Sequence, residues 1–402
     1  MTVEYTHALV TLPPTANHDT PGLLTNCAAC AAPLAHDTPR CVRCKTRYCD
    51  STCQHDHWRR GHKHICKKIH RGGNAEQYHA DKKYKEAVKV AAEACAADTK
   101  GQKCYICTEA VHWKKKEGLV RMCACRGTAG FAHVSCLAEQ AKILVAEAWG
   151  NNLGTKVKTE RFRRWDTCSL CEQEYHGVIA CALGWACWKT YMSWPEGSWA
   201  QMNAMRQLGN GLTNATRHED ALSVREAELS MDRRLGVPEH DVLMTQGNLA
   251  STYRMLNQFE KALQMRRDVY VGFVKLFGEE HEDTLKEAGN NAILLLELLR
   301  FEEAKELLCK VTPVARRVFG AKNTLTLSLR EDLSRAILDG DSSPEEKRAA
   351  LEMLKDTLRV MRRVLGPSHP ETQRVQDEHD SHQRELPRTA FSNFARRLGQ
   401  SV

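Results

Sequence analysis

Fourteen cysteines and two histidines of this chain fall into eight short pairs: Cys27/Cys30, Cys41/Cys44, Cys49/Cys53, His62/Cys66, Cys104/Cys107, Cys123/Cys125, His133/Cys136 and Cys168/Cys171. Thiolates two residues apart grip one tetrahedral zinc ion from a tight turn, and two such clips close a site. His62 and Cys66 are four residues apart, so on a short helix they share one face and can bite the same ion. Sixteen ligands therefore serve four zinc ions. Structural zinc is worth on the order of 10 kcal/mol to a segment too small to build a core. The elements around these pairs are thus expected to fold on metal.

The rest of the composition says where such chemistry takes place. Eighteen cysteines would suit a secreted disulfide scaffold, but MTVEYTHALVTLPPTANHDT holds no basic stretch followed by an apolar run, so no signal peptide is visible. The thiols read as metal ligands in a reducing compartment, cytoplasmic or nuclear. The longest strongly apolar run, Val178 to Trp188, is eleven residues, whereas a membrane span needs ~20. It is expected to be a buried helix, with no membrane span in the chain. The formal charge of +8 suggests a nucleic-acid partner, yet fourteen bound thiolates and four dications shift it by −6, to about +2. The overall charge thus argues against nucleic acid as a partner.

The first eight ligands stand in CAAC, CVRC and YCDSTCQHDHWRRGHKHIC. These residues, with the intervening CQ, HW and GHK, resemble a MYND zinc finger over residues 27–66. The resemblance implies that Cys27, Cys30, Cys49 and Cys53 share one zinc, and Cys41, Cys44, His62 and Cys66 the other. His55, His57 and His64 compete with His62, but none has the HxxxC spacing to Cys66. Arg59, Arg60, Lys63, Lys67 and Lys68 read as a solvated helical face, with a nucleic-acid patch as the rival reading. The family implies docking of short proline-containing peptides. Beyond Gly72 and Gly73, the positions Tyr84, Ala87, Val88, Ala91, Ala94 and Cys95 recur at helical spacing, a linker helix in which Cys95 is a small core residue.

The second eight ligands run four Cys, one His and three Cys, with one residue between Cys123 and Cys125 and seven between Cys125 and His133. A common RING has histidine as its fourth ligand, and a PHD finger has a wider third gap and a shorter run before its histidine. CRGTAGFAHVSCL and CSLCEQEYHG instead resemble the RING-CH signature and its closing pair. The resemblance implies a cross-brace: Cys104, Cys107, His133 and Cys136 on one zinc, Cys123, Cys125, Cys168 and Cys171 on the other. His133 then needs a carbonyl or carboxylate for its second ring nitrogen. The family transfers ubiquitin with no nucleophile of its own, by holding a charged conjugating enzyme where a lysine can attack, so its rate gain is proximity. Ile106 matches the apolar residue with which such fingers contact that enzyme; its other reading is a plain loop core contact. The chain departs from the pattern at Gln140, where a Trp often stands, and in the thirty-one residues between Cys136 and Cys168. Trp149 or Trp165 is a candidate to fill the missing surface.

From about residue 199 the sequence repeats. Gly247-Asn248-Leu249-Ala250 returns as Gly289-Asn290-Asn291-Ala292 forty-two residues on, and Phe259, Ala262 and Gly278 return as Phe301, Ala304 and Gly320. Ala350 and Gly366 continue the series, displaced by four residues at the insertion Asp341-Ser342-Ser343-Pro344; a shortened earlier copy holds Gly209, Asn210, Ala221 and Gly236. Each unit reads as two amphipathic helices with small residues at their crossing. Such a unit cannot bury its apolar face alone and must stack on its neighbours. The array resembles tetratricopeptide repeats of the kinesin-light-chain type, which present a groove to partner proteins. Cys181, Cys187 and Cys309 are expected to be packed rather than reactive.

The fold class read from these patterns is mainly α: two small cross-brace zinc fingers, then an α-solenoid of tetratricopeptide repeats. Its expected parts are a disordered N-terminus (1–26), the MYND-type finger (27–66), the linker helix (67–100), the RING-CH-type finger (101–176), a connecting helix (177–198), the array (199–386) and a tail (387–402). The leading function is a ubiquitin ligase whose partners are a ubiquitin-conjugating enzyme and protein or peptide substrates. The alternative is a zinc-bound interaction scaffold without ligase activity; a chromatin or transcription cofactor is a third reading. No phosphate-cradling glycine loop followed by lysine and no Ser-His-Asp arrangement supports another enzyme class.

Overall fold

The structure, a computed structural model, describes residues 26–385 except 33, 35–37, 122 and 368. The expectations for the N-terminal segment and the tail lie outside these residues. Among the described residues there are helices and no strands; three isolated bridges, Arg40 to Arg47, Val120 to Ala132 and Thr167 to Glu174, close loops. The chain forms two compact units that part between Val224 and Arg225.

In the first unit, α1 (Ser51–His57) starts at Asp50, whose carboxylate accepts the Cys53 N–H at 2.7 Å. A π-helical turn, Trp58–His62, joins it to α2 (Lys63–Arg71). The kink sits at Gly61, with φ of 135°, a conformation that strains other residues. The linker is α3 (Ala75–Ala94), capped by Asn74, whose side chain accepts the Gln77 N–H at 2.9 Å. It buries Ala80, Ala87, Val88 and Ala91.

Two helices, α4 (Val134–Gly150) and α5 (Thr155–Phe162), occupy the long interval between Cys136 and Cys168. The apolar run is α6 (Gly177–Tyr191), buried at every residue from Ile179 to Trp188, as a helix hydrophobic all round must be. It packs against α3, α4 and α7 (Trp199–Asn214). The last crossing is glycine-tight: a Cβ on Gly211 would lie 2.4 Å from the Ala180 carbonyl oxygen. Trp165 is fully buried and its ring stands 5.9 Å from that of Tyr191, while Trp149 packs 5.1 Å from Trp199. Trp165 therefore belongs to the core and supplies no docking surface. The array was expected to begin at 199, and the helix there is packed on α6.

The division of the units falls inside α8 (His218–Leu235). The second unit continues with α9 (Glu239–Met255), α10 (Phe259–Phe277), α11 (Glu282–Glu297), α12 (Phe301–Phe319), α13 (Thr324–Asp339), α14 (Pro344–Val364) and α15 (Pro370–Glu385). The repeated small residues Ala262, Ala304 and Ala350 are buried where neighbouring helices meet. Gly278 and Gly320 follow α10 and α12 with φ of 85° and 86°, the left-handed exit that glycine permits. The side chains of His281 and Asn323 then accept the Asp283 and Leu325 N–H groups and cap α11 and α13. The insertion has a local purpose: Ser343 and Glu346 form a capping box with Pro344 in the first turn of α14. Ion pairs tie helices together, a buried one from Arg266 to Glu287 at 2.7 Å and one from the exposed Arg374 to the buried Glu331 at 2.8 Å.

Cys181 and Cys187 are buried, as expected, and burial pushes the Cys181 thiol up to about 11. Cys309 corrects the sequence reading, because it is exposed on α12. The interval that includes it, Glu306 to Lys310, buries Leu308 instead.

Candidate metal centres

The structure brings the sixteen predicted ligands into four groups of four: Cys27, Cys30, Cys49 and Cys53; Cys41, Cys44, His62 and Cys66; Cys104, Cys107, His133 and Cys136; Cys123, Cys125, Cys168 and Cys171. Within each group the ligand atoms lie within 4.8 Å of one another. These are the cross-brace pairings that the two resemblances imply.

Spacing tests what such a group can hold. A tetrahedral zinc with bonds of about 2.3 Å sets its sulfur atoms about 3.8 Å apart, whereas a disulfide holds them at about 2.05 Å. The sulfurs of Cys30 and Cys49 are 3.5 Å apart, Cys41 and Cys66 3.7 Å, Cys30 and Cys53 3.8 Å, and Cys125 and Cys168 3.8 Å. The distances fit the edges of a metal tetrahedron and exclude a disulfide.

Four of the cysteine pairs rest on one local frame. At Cys27, Cys41, Cys104 and Cys168 the residue's N–H donates to the carbonyl five residues on, and its own carbonyl accepts the N–H four residues on, at 2.7 to 3.0 Å. The fifth residue of each turn, Ala31, Lys45, Thr108 or Glu172, takes a positive φ between 55° and 65°. Amides inside the turn point at the first sulfur: Ala29 N–H at Cys27 (3.4 Å), Ile106 N–H at Cys104 (3.4 Å) and Leu170 N–H at Cys168 (3.5 Å). These donors favour the thiolate. Burial opposes ionisation of Cys27, but the N–H groups of Cys30, Ala29 and Cys49 prevail and bring its thiol down to about 7. Burial likewise opposes Cys171, and the Gln173 N–H and the Cys125 and Cys168 thiols bring it down to about 7. Cys66 has the reverse problem: burial, then the neighbouring Cys41 and Cys44 sulfurs, push it up to about 12. Four sulfurs this close ionise together only around a cation.

The choice of His62 over its rivals has a geometric basis. The Gly61 kink turns His62 inward so that Nε2 lies 3.3 Å from the Cys44 sulfur, with the ring fully buried. Burial, then His57, lower its basicity to about 4, which leaves Nε2 a neutral lone pair. His57 instead stacks on His62 at 4.8 Å and pairs its Nδ1 with the Tyr48 hydroxyl at 3.0 Å. In the second module His133 presents Nδ1, 3.4 Å from the Cys107 sulfur and 3.6 Å from that of Cys136. Its Nε2 is buried and makes no close hydrogen bond to the described residues, while the Ala110 backbone works against the lowering of the ring's basicity by burial and is the group nearest to the expected carbonyl partner. Arg59, Arg60, Lys63, Lys67 and Lys68 are all exposed, as a solvated face requires, and Arg60 donates to the Ala29 carbonyl at 2.8 Å.

Two residues of the site escaped sequence reasoning. Gly130 has φ of 83°, and a Cβ there would stand 2.6 Å from the Cys125 Cβ and 3.3 Å from the Cys123 sulfur, so only glycine closes over that group. Its signal was a glycine inside the CRGTAGFAHVSCL stretch. The other is Leu170, between the last two ligands. The Tyr105 and Ser169 hydroxyls lie 3.1 Å apart and 3.5 and 3.4 Å from Gln140 Oε1, so that one hydroxyl donates to the other while the second donates to Gln140 Oε1. This clasp sets the Cys104 and Cys168 turns side by side. The residues that follow it, Ile106 and Leu170, are 37% and 51% exposed.

Comparison with known proteins agrees with this organisation. Models of the MYND finger match residues 27–66 and of the RING-variant domain residues 104–171; tetratricopeptide-repeat models match 201–270 and 345–371. A clustered mitochondria protein homolog of Emericella nidulans is 24% identical over 153 residues, 38% of this chain and 12% of that protein. Ubiquitin carboxyl-terminal hydrolase 17 of Arabidopsis thaliana is 47% identical over 53 residues, 13% of this chain and 7% of that protein. The chain thus spans a small fraction of the length of these relatives. Among solved structures, the nearly identical TPR-like repeats of a protein of Podosopora anserina described as a kinesin light chain are 15% identical, with a TM-score of 0.39 over 57% of this chain and 97% of that one. BtubC of P. vanneervenii is 12% identical, with a TM-score of 0.33 over 63% of this chain and 90% of that one. No helix among the described residues is long and apolar enough to cross a membrane. The chain carries a MYND finger, a RING-variant finger and tetratricopeptide repeats, the modules of a zinc-finger protein-interaction scaffold.

Proposed function

We propose that the chain is a RING-type ubiquitin ligase acting in the cytoplasm or nucleus, with zinc in all four ligand groups and with the MYND finger and the repeats recruiting protein substrates. One observation carries this reading. The clasp of Tyr105, Ser169 and Gln140 holds two knuckles together, and each leaves an aliphatic side chain, Ile106 or Leu170, in water at its tip. A paired apolar tip on a rigid support is what a conjugating enzyme needs in order to be held by a small hot spot. Zinc would be structural, with each ion closed by four protein ligands and no open position for substrate. The residues of the finger therefore bind and orient, and the chemistry belongs to the enzyme they hold.

A second reading is a scaffold without transfer activity, and Gln140 favours it. Where the RING-CH pattern often has a Trp, this chain has an amide occupied by two hydroxyls, which removes apolar area from the docking surface. Ubiquitination assays of the zinc-loaded chain against a panel of conjugating enzymes separate the two: chain-dependent transfer with any of them supports the ligase, and silence with all of them leaves the scaffold.

A further inference from the structure

The frame shared by the four cysteine knuckles occurs once more, without cysteine. His112 N–H donates to the Glu117 carbonyl at 3.0 Å, and the Lys116 N–H donates to the His112 carbonyl at 2.8 Å. Lys116 has the same positive φ, 56°, as Ala31, Lys45, Thr108 and Glu172. His112 stands where the first cysteine would be. Its Nδ1 accepts the Lys114 and Lys115 N–H groups at 3.3 and 3.0 Å, as the first sulfur does in the metal-type turns. The second ligand position is Lys115, so the turn keeps its shape on hydrogen bonds alone. His112 also sets its ring edge against His133, with centroids 5.3 Å apart, which anchors the turn to the neighbouring metal group.

A turn held this firmly and free of metal presents whatever its tip carries. Val111 is 54% exposed and Trp113 68%. The Trp113 ring lies nearly parallel to that of His112, at 6.4 Å, and Lys114, Lys115 and Lys116 are all exposed, with no ion pair to any described residue. The acidic member of the turn is withdrawn: Glu117 Oε2 accepts the Ser135 N–H at 3.0 Å and the Ser135 hydroxyl, and Oε1 accepts the Tyr84 hydroxyl at 3.5 Å. The turn thus exposes the indole of Trp113 and three lysines without an ion pair among the described residues, with the aliphatic Val111 exposed just before the anchor.

We propose that this metal-free knuckle docks on the surface of an anionic phospholipid membrane, with Val111 and Trp113 entering the headgroup boundary and the three lysines meeting lipid phosphates and carboxylates. Indole favours that boundary, and juxtaposed lysines are drawn to a negative surface. A single-stranded nucleic acid would use the indole as a stacking platform but has no use for the aliphatic Val111, and three consecutive lysines around a tip form no groove that tracks a strand. The inference is independent of ligase activity, and it gives a local basic site to a chain whose metal-loaded charge is near neutral.

The test is co-sedimentation of the full zinc-loaded chain with phosphatidylcholine vesicles, with and without phosphatidylserine. Binding is expected only with phosphatidylserine and is expected to weaken as salt rises. Lys114→Ala/Lys115→Ala/Lys116→Ala lowers the partition coefficient by about a hundredfold, and Trp113→Ala lowers it severalfold, with zinc content and circular dichroism unchanged. Equal binding to neutral vesicles, or variants that bind as wild type does, overturns the proposal. So does a chain that ignores vesicles but binds a single-stranded oligonucleotide or polyglutamate through the same residues.

Discussion

Truncating the two knuckle tips tests the ligase reading at the point where it is most exposed. With Ile106 37% and Leu170 51% accessible, roughly 65 Å² and 90 Å² of apolar surface remain in water for a partner to cover. At about 25 cal/mol per Å² these areas correspond to about 1.5 and about 2 kcal/mol, of which truncation to alanine removes most. The Ile106→Ala/Leu170→Ala chain should therefore lose about 3 kcal/mol of contact, on the order of a hundredfold in affinity for the conjugating enzyme. Neither side chain is a metal ligand, and substitutions at exposed sites usually move stability by no more than about 0.5 kcal/mol. Zinc content and thermal midpoint should stay put while the rate of ubiquitin transfer, followed by gel at subsaturating conjugating enzyme, collapses. Cys125→Ser is the contrast: it also abolishes transfer, but through loss of a zinc ligand and of the fold around Gly130. A double variant that transfers at the rate of an active parent would refute the placement of the docking surface.

Elemental analysis of the purified chain should find four zinc ions, and a chelator should abolish the ordered signal of the fingers while helical signal from the repeats persists; two ions per chain would mean that one finger is closed by other means. Gly211→Ala should lower the thermal midpoint of the first unit by the equivalent of about 2 kcal/mol or more, because the added Cβ meets the Ala180 backbone at 2.4 Å and no side chain can yield there; a midpoint equal to wild type would mean that α6 and α7 separate freely. Burial, then the Glu331 carboxylate, raise Asp332 to about 8 and Glu378 to about 7. Their folded pKa values exceed the unfolded ones, so the stability they contribute is fully present below about pH 4 and is lost as pH rises through 7 and 8. Asp332→Asn should flatten that loss, and a urea midpoint whose difference from wild type does not grow between pH 5.5 and 8.5, a window chosen on the order of those shifts, would contradict it.

The metal groups were legible because their information is local. A CxxC turn is complete within six residues, its hydrogen bonds need no tertiary partner, and the repeat of such turns along the chain gave both the ligand count and, with the family patterns, the pairing. The array was legible for a related reason: Ala262, Ala304 and Ala350 mark crossings that recur because each helix pair meets the same neighbours. What stayed hidden depends on contacts that no spacing encodes. Trp165 sits in the finger's sequence, yet its ring is fully buried beside Tyr191, because the stretch before the last ligands folds onto α6 rather than outward. Cys309 falls one position past Leu308, on the wet side of α12.

The His112 turn shows why the limit lies where it does. Reading for ligands finds a knuckle only when both its anchor positions carry sulfur or imidazole, so HWKKKE passes as a charged loop. The backbone frame, however, asks for only two things: an acceptor at the first position that can take the turn's amide hydrogens, and a residue four places on that tolerates a positive φ. His112 Nδ1 meets the first requirement as well as a thiolate does, and Lys116 meets the second as Lys45 does in a metal-type turn. A ligand pair is thus not necessary for this turn, and a chain that has the frame can carry one copy of it without metal ligands and load its tip with other chemistry. The tips of the copies at Cys104 and Cys168 carry Ile106 and Leu170, and the copy at His112 carries Trp113, Lys114 and Lys115, with Lys116 as its second anchor. One local geometry then offers two surfaces of different chemistry, each set by the residues between the anchors rather than by the anchors themselves.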